Sequence, residues 1–304
     1  MPTGRFAPSP SGRMHLGNVF SALLAWLSAR SAGGEIVLRI EDLDPARSRR
    51  EYAETIMEDF RWLGLSWDRR AEDQSARGPV YDAALEKLRE KTLVYPCYCT
   101  RDQLHAASAP HASDGRVLYA GTCRRLTAEQ RSAMKKTPCW RIAAPEEEIS
   151  FRDGLQGDFS MDLSREWGDF IVRRADGVAA YQLAVVVDDG AGGVTEVVRG
   201  RDLLSSTPAQ LWLYRLLELA PPAFYHVPML LSPDGRRLSK RDRDLDLGQL
   251  RLRRKPEEIV GYLAWAAGII DRPEPVSARE LIPVFSWDRV RKEDIVVAAE
   301  WRAL

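Results

Sequence analysis

Apolar and polar positions in the first ninety residues alternate between strand-like runs and helix-like spacing. A short strand is predicted at Gly4 to Ala7, and an apolar-faced helix begins at Gly17 and stops at Gly33-Gly34. The run EIVLRIED predicts a second strand that ends in the acid pair Glu41-Asp42. This is a βαβ unit. The helical patterns SRREYAETIMEDFRWLGL and VYDAALEKLREK that follow favour a parallel sheet covered by helices.

The alternation breaks into short pieces between about Tyr95 and Arg152, which indicates an insertion. It resumes at FIVRRADGVAAYQLAVVVDDG, where AVVVDD predicts a buried strand ending in carboxylates. EVVRGRDL predicts a further strand, and a helix follows Thr207-Pro208. From about Asp234 onward only helical patterns remain. The pattern therefore predicts an α/β fold in which residues 1–94 and 161–233 are the halves of one sheet domain, residues 95–160 are inserted, and residues 234–304 are a loop and a helical region.

Composition indicates a cytoplasmic protein with no membrane segment. The 304 residues carry 44 Lys+Arg against 44 Asp+Glu, and the longest apolar run, Val19 to Ala29, is interrupted by serine and too short to cross a bilayer. A neutral chain excludes a strongly basic nucleic-acid coat protein but allows a local basic face, or simply a solvated helix surface. The basic residues of that stretch are Arg236, Arg237, Lys240, Arg241, Arg243, Arg251, Arg253, Arg254 and Lys255.

Candidate chemistry lies where predicted strands end, because ligands of open parallel sheets bind beyond the carboxyl ends of the strands. The loop before Met14, the acid Glu41 and the arginine Arg199 all occupy such positions. The loop leads into a helix amino terminus, where backbone N–H groups favour an anion. His15 and Gly17 would then contact a phosphate, although residues of these types at a helix start more often serve capping and packing.

A second polar loop, GRRLSKRD, places Lys240 after a serine, where an ammonium group can close over a polyphosphate or simply be solvated. Together HLGN at His15 and RLSKR at Arg237 resemble the HIGH and KMSKS signatures of class I aminoacyl-tRNA synthetases. The match departs at Asn18, where HIGH has histidine, and at Arg237 and Arg241 in the second signature. The ATP role in that second signature is therefore assigned to Lys240 alone.

The resemblance sharpens to the glutamyl branch of that family. RFAPSPSG, LRIEDLDPARS, AYQLAVVVDD, VVRGRDLLSSTPAQ and RLSK occur in the order of that branch across about residues 5 to 241. This resemblance implies a Rossmann-type parallel-sheet catalytic domain, catalytic His15 and Lys240, and Mg²⁺ bound with ATP. It also implies ATP contacts at His15, Gly17, Asn18 and Lys240, and L-glutamate contacts at Arg5, Ala7, Ser9, Glu41, Tyr181 and Arg199. Arginine forks suit the two carboxylates of glutamate, and Glu41 suits its ammonium group.

The cysteines suggest a metal site inside the insertion. CYC at Cys97 and Cys99 and YAGTC at Tyr119 and Cys123 have short spacings that are typical of zinc ligands, while buried thiols remain the alternative. From the residues alone, Cys139 can replace Tyr119 as the fourth ligand. The resemblance implies the set Cys97, Cys99, Tyr119 and Cys123, with one structural Zn²⁺ per chain.

Only about sixty residues follow Lys240, too few for the helical anticodon-binding region of a full glutamyl enzyme. The chain therefore resembles the truncated form of the branch. That form is expected to be a monomer that activates glutamate without tRNA and transfers it to queuosine in the anticodon stem-loop of tRNA(Asp). Three alternatives stay open: a truncated synthetase acting on a tRNA 3′ end, a non-catalytic zinc-containing RNA-binding paralogue, and a small-molecule nucleotidyltransferase.

Overall fold

A parallel sheet forms the centre of the fold. In a computed structural model that describes residues 1–100, 103, 118–119, 121–232, 234–236, 238, 245–298 and 301, strand β1 (Thr3–Phe6) pairs in parallel with β2 (Glu35–Leu38). Strand β2 pairs in parallel with β3 (Arg69–Arg70). A second parallel pair abuts β1, because the Thr195 amide donates to the Thr3 carbonyl oxygen at 2.9 Å. The predicted α/β fold with a parallel sheet is therefore confirmed.

Helices cover this sheet as the sequence predicts. Helix α1 (Leu16–Ser31) follows β1, and α2 (Arg50–Trp62) and α3 (Gly78–Lys91) follow β2 and β3. Helix α1 is buried on nearly every side because its run of leucine, alanine and tryptophan packs inside the main core. Phe6 of β1 stacks on Phe60 of α2 with ring centroids 4.4 Å apart, which joins the sheet to that helix.

The remaining elements complete the sheet and add two antiparallel units. In chain order these elements are β4 (Val94–Cys97), α4 (Ala128–Ser132), β5 (Cys139–Ile142), β6 (Glu148–Asp153), β7 (Gly157–Asp162), β8 (Phe170–Arg173), α5 (Tyr181–Ala191), β9 (Glu196–Gly200), α6 (Thr207–Leu217), β10 (Ala223–Val227), β11 (Leu230–Leu231), α7 (Leu247–Arg251), α8 (Pro256–Ala267), α9 (Ala278–Leu281) and β12 (Ile295–Val296). The strands β4, β5 and β8 form one antiparallel sheet, and β6 and β7 form a hairpin. Strands β9 and β10 are the parallel pair beside β1. The four-segment division stays a prediction.

Two local predictions are wrong. AVVVDD lies in helix α5, not in a strand, because this helix is buried along Leu183 to Asp189 and an apolar run that is buried on all sides carries no diagnostic periodicity. The chain after Asp234 is not wholly helical either, since β12 pairs in parallel with β11. Among the described residues, no helix is long and apolar enough to cross a membrane.

Candidate active site

A cleft of about 540 Å³ opens between the loop after β1 and the end of β9. It brings together residues that are far apart in the sequence, and both the predicted glutamate contacts and the predicted ATP contacts before Lys240 line it. The predicted site residues that line it are Arg5, Ala7, Ser9, His15, Gly17, Asn18, Glu41, Tyr181 and Arg199. Lys240 lies outside the described residues, so its role stays a prediction.

Beside the cleft lies a set of buried ionic side chains, which we call the arginine–carboxylate cluster (Arg5, Arg39, Glu41, Asp189 and Arg199); its members Arg5, Glu41 and Arg199 line the cleft. Arg39 is its centre: Nη1 donates to Asp189 Oδ1 at 2.6 Å, and Nη2 donates to Glu41 Oε1 at 2.9 Å. The Arg39 side chain is almost fully buried. Because an unpaired ion is costly in such a place, Arg39, Glu41 and Asp189 fix one another's positions.

Arg5 extends this cluster from β1. Its Nη1 donates to the carbonyl oxygen of Val198 at 2.9 Å, and its Nε lies 3.8 Å from Asp189 Oδ1. Burial raises the pKa of Glu41, and the neighbouring Arg39 guanidinium opposes that rise. The cluster therefore presents a desolvated carboxyl group and buried guanidinium groups beside one cleft.

Arg199, on β9, is held from behind. Its Nε donates to His226 Nε2 at 2.9 Å, and its Nη2 donates to Thr207 Oγ1 at 2.9 Å. Its third nitrogen, Nη1, is buried and has no hydrogen-bond partner among the described residues. A buried donor without a partner is rare in native proteins, and beside a cleft it suits an anionic ligand.

His226 is in turn fixed by Asp153, at the end of β6. The two side chains are fully buried, with His226 Nδ1 2.5 Å from Asp153 Oδ2. Burial lowers the pKa of His226, and Arg199 adds to the effect. Burial acts to raise the pKa of Asp153, but its hydrogen bonds with His226 and backbone amides lower the pKa overall. The pair is thus a neutral imidazole against a carboxylate.

Tyr181 begins helix α5 and lines the cleft. The residue is 38% exposed, so its ring is open to a ligand. Desolvation of its hydroxyl group raises its pKa, and nearby Arg199 opposes the rise. Tyr181 therefore offers a neutral phenol and an aromatic face.

The other end of the cleft is a single turn at the start of α1, which we call the His15 turn (His15, Gly17 and Asn18). His15 is the N-cap residue: its Nδ1 accepts from the Gly17 amide at 3.1 Å, and the Asn18 side chain accepts from the His15 amide at 3.1 Å. An accepting Nδ1 places the proton of the neutral ring on Nε2. His15 therefore does cap helix α1, and this capping hydrogen bond orients its imidazole.

Gly17 is required by this geometry. A Cβ at Gly17 would stand 3.0 Å from His15 Cε1 and 3.1 Å from His15 Nδ1, closer than ordinary packing. Glycine at this position therefore lets the imidazole lie flat against the first turn of the helix.

The loop before the His15 turn is tied to the C-terminal region. The Leu247 amide donates to the Met14 carbonyl oxygen at 2.9 Å, and a Cβ at Gly248 would stand only 1.6 Å from Arg13 Nη1. Arg251 of the predicted basic face donates to Asp59 at 2.5 Å, so it is engaged inside the molecule. The rest of that face stays a prediction.

Three thiols of the insertion come together. The Sγ atoms of Cys97, Cys99 and Cys123 lie within 4.8 Å of one another, and Cys99 and Cys123 are 3.6 Å apart. The Tyr119 hydroxyl oxygen lies 3.5 Å from Cys97 Sγ. Edges of ~3.5–3.8 Å are those of a tetrahedron of sulfur and oxygen ligands around one zinc ion. Cys139 Sγ lies 3.5 Å from the Cys97 carbonyl oxygen and hydrogen-bonds with the Cys97 thiol, but it is not one of the three mutually close thiols.

The sequence did not reveal the supporting residues Arg39, Asp153, Asp189 and His226. An arginine inside the apolar run EIVLRIED was the visible signal for Arg39, because a buried strand carries a cation only when anions pair with it. Nothing local marks Asp153 and His226, which lie 73 positions apart. Asp188, beside Asp189, accepts hydrogen bonds from Gln74, Arg77 and Tyr81. The bonds from Gln74 and Tyr81 are buried, and the bond from Arg77 is partly buried.

Comparison with known proteins defines the class. Residues 3–270 match the family model "tRNA synthetases class I (E and Q), catalytic domain". The chain belongs to this family and is a ligase of the aminoacyl-tRNA synthetase type.

The particular relatives are similar over nearly their whole length. A "Glutamyl-Q tRNA(Asp) synthetase" of Symbiobacterium thermophilum is 52% identical over 312 residues, covering 98% of this chain and 96% of that protein. Its counterpart in Nitratidesulfovibrio vulgaris is 47% identical over 310 residues, with the same coverage of both chains. The solved glutamate-tRNA synthetase of Elizabethkingia anophelis superposes with a TM-score of 0.85 at 29% identity, covering 99% of this chain and 68% of that one.

Proposed function

We propose that this chain activates L-glutamate with ATP, without tRNA, and transfers the glutamyl group to the queuosine base at the wobble position of tRNA(Asp). The observation that carries this proposal is the unpartnered Nη1 of Arg199 beside Arg5 and Glu41 in one cleft. Two guanidinium groups and one carboxylate match the two carboxylates and the ammonium group of glutamate. The names of the two relatives above, glutamyl-Q tRNA(Asp) synthetase, support tRNA(Asp) as the acceptor.

In the first step, Arg5 and Arg199 bind carboxylates of glutamate while Glu41 binds its ammonium group. Ala7 and Ser9 line the same stretch of cleft, and Tyr181 closes one side. Glutamine is excluded because its amide cannot accept the charge-assisted fork and leaves buried N–H groups unpaired. The pocket thus holds the α-carboxylate ready as a nucleophile.

The α-carboxylate then attacks the α-phosphorus of ATP, the bond to pyrophosphate breaks, and glutamyl-adenylate forms. The Nε2–H of His15 and the amides at the start of α1, including those of Gly17 and Asn18, stabilise negative charge on the phosphates, and Lys240 adds a cation. Among the described residues, only the cysteines form a cluster of three metal-ligating side chains. Mg²⁺ bound with ATP would neutralise phosphate charge during this step.

In the second step, a hydroxyl group of the queuosine cyclopentenediol attacks the activated carbonyl, and AMP leaves. No side chain forms a covalent intermediate, so catalysis rests on positioning and electrostatics. The acceptor base would reach the cleft splayed from a single-stranded loop, as RNA-binding proteins commonly require.

Glutamate-dependent ATP–pyrophosphate exchange, run without any tRNA, tests the first step. We expect exchange with glutamate and none with glutamine. Absence of exchange with glutamate contradicts the proposal and favours the non-catalytic RNA-binding alternative.

Transfer of labelled glutamate to tRNA tests the second step. We expect acid-precipitable label on tRNA(Asp) that carries queuosine and none on the same tRNA lacking it. Label on queuosine-free tRNA(Glu) identifies instead a truncated enzyme that acts on the 3′ end.

We also propose that Cys97, Cys99, Cys123 and Tyr119 hold one structural zinc ion. The closeness of the three thiols, and of the Tyr119 hydroxyl oxygen to Cys97 Sγ, supports this set. Metal analysis should find one zinc per chain, and Cys99→Ser should lose it. Cys139→Ser is the matched control and should keep it, because Cys139 lies outside the triad. If Cys139→Ser loses its zinc, the fourth ligand is Cys139 and not Tyr119.

A further inference from the structure

We infer that Asp153 and His226 are positioning residues that aim the Arg199 guanidinium at glutamate, by fixing which nitrogen of the imidazole carries the proton. This inference rests on the proposed function, because it concerns how the same cleft recognises its amino acid. Neither residue lines the cleft, so both act through Arg199.

The relay runs through three strands that meet behind the cleft. Asp153 ends β6, His226 lies on β10 and Arg199 lies on β9. His226 Nδ1 faces Asp153 Oδ2 at 2.5 Å, while His226 Nε2 faces Arg199 Nε at 2.9 Å. Asp153 and His226 are fully buried, and Arg199 is 5% exposed, so water does not compete for these bonds.

The proton position follows from the two partners. An arginine Nε always carries hydrogen and only donates, so His226 Nε2 must accept. The proton of the neutral ring is therefore on Nδ1, from which it is donated to the Asp153 carboxylate. Any change that moves this proton to Nε2 sets two N–H groups against each other. The Nε2 proton then competes for Thr207 Oγ1, which lies 3.3 Å away and also binds Arg199 Nη2, so the guanidinium loses its alignment.

Asp153→Asn is such a change, and it alters hardly any volume. The Oδ1 atom of Asp153 accepts from the backbone amides of Leu155 at 3.0 Å, Gln156 at 2.8 Å and His226 at 3.2 Å. In the asparagine variant the amide oxygen must stay with these donors. Its NH₂ group then points at His226 Nδ1 and donates to it, which moves the ring proton to Nε2.

The principal experiment is glutamate-dependent exchange with Asp153→Asn. The KM for glutamate should rise at least tenfold while the KM for ATP stays within about twofold, because only the amino-acid pocket loses an aligned donor. Asp158→Asn, an exposed carboxylate on the same hairpin, is the matched control and should behave as wild type. An unchanged KM for glutamate in Asp153→Asn overturns the inference.

A second variant separates proton placement from structural support. His226→Gln keeps an oxygen that accepts from Arg199 Nε without any tautomer, so its KM for glutamate should stay within a fewfold of wild type. Adding Asp153→Asn to His226→Gln should then cause little further change. If the second substitution raises the KM as much as it does in wild type, Asp153 acts only as a structural support.

The proton can also be observed directly. The chain has four histidines, so ¹⁵N spectra of labelled protein can be assigned with His226→Gln. We expect Nδ1-protonated His226 in wild type and Nε2-protonated His226 in Asp153→Asn; the Nε2 form in wild type overturns the inference.

If wild type shows no glutamate-dependent exchange, the proposed function fails and this inference with it. If wild type is active and Asp153→Asn is unaffected, the inference fails alone.

Discussion

The two ends of the cleft are built in different ways. The His15 turn lies within four consecutive residues and is held by hydrogen bonds between His15, Gly17 and Asn18. The arginine–carboxylate cluster joins β1, the segment after β2, α5 and β9, and its hydrogen bond from Arg39 to Asp189 spans 150 positions. A local turn forms as soon as its helix begins, whereas the cluster exists only when the whole sheet is assembled. Substitutions in the His15 turn should therefore lower turnover, whereas substitutions in the arginine–carboxylate cluster should weaken glutamate binding.

The largest effect is expected at the cluster. Arg199→Ala should lower kcat/KM for glutamate in the exchange reaction by roughly a hundred- to a thousandfold, because it removes a buried charge partner of the substrate. Arg201→Ala is the control, since Arg201 pairs with Asp294 at 2.7 Å and does not line the cleft. Equal losses in both variants would mean that general charge, not the cluster, governs activity.

At the His15 turn the expected effect is on turnover. His15→Asn keeps an N-cap acceptor but lacks Nε2, so exchange should fall by about a hundredfold with little change in melting temperature. His15→Ala should lose the same activity and also about 1 kcal/mol of stability, measured by thermal unfolding. Full activity in His15→Asn would show that the histidine is only a cap.

A smaller loss is expected when the imidazole is merely displaced. Gly17→Ala places a Cβ against the His15 ring, so kcat should fall by roughly tenfold while the KM for glutamate stays unchanged. Gly78→Ala, at the start of α3, meets no atom within 4 Å and serves as the matched control. If both variants keep full activity, the imidazole does not need its observed place on the helix.

The smallest effect is a pH dependence of the cluster. Because burial raises the pKa of Glu41, this carboxylate takes up a proton at a higher pH than an exposed glutamate does. As pH falls through that raised pKa, kcat/KM for glutamate should fall a fewfold. The stability contribution has the opposite sign: the folded state holds this proton more tightly, so stability from this group declines as pH rises through its folded pKa. Glu41→Gln should remove the dependence, and a dependence that survives in Glu41→Gln belongs to another group.

The same contrast explains what the sequence could predict. The His15 turn, strand-end Glu41 and Arg199 were predicted from local spacing, and the structure brings them to one cleft. The buried helix α5 was predicted as a strand because a run that is apolar on all faces has no period to detect. Asp153 and His226 were missed because their partnership exists only across the assembled strands.

The tethering of Arg199 has a thermodynamic consequence. Two of its three guanidinium nitrogens are already bonded in the folded chain, so its rotamer is ordered before any ligand arrives. The entropy of immobilising a long side chain, up to about 2 kcal/mol, is then lost during folding and not during association. Calorimetry of the wild type should consequently show glutamate binding with a small entropic penalty. Loss of the hydrogen bonds that hold Arg199 should enlarge this entropic penalty more than it reduces the enthalpy of binding.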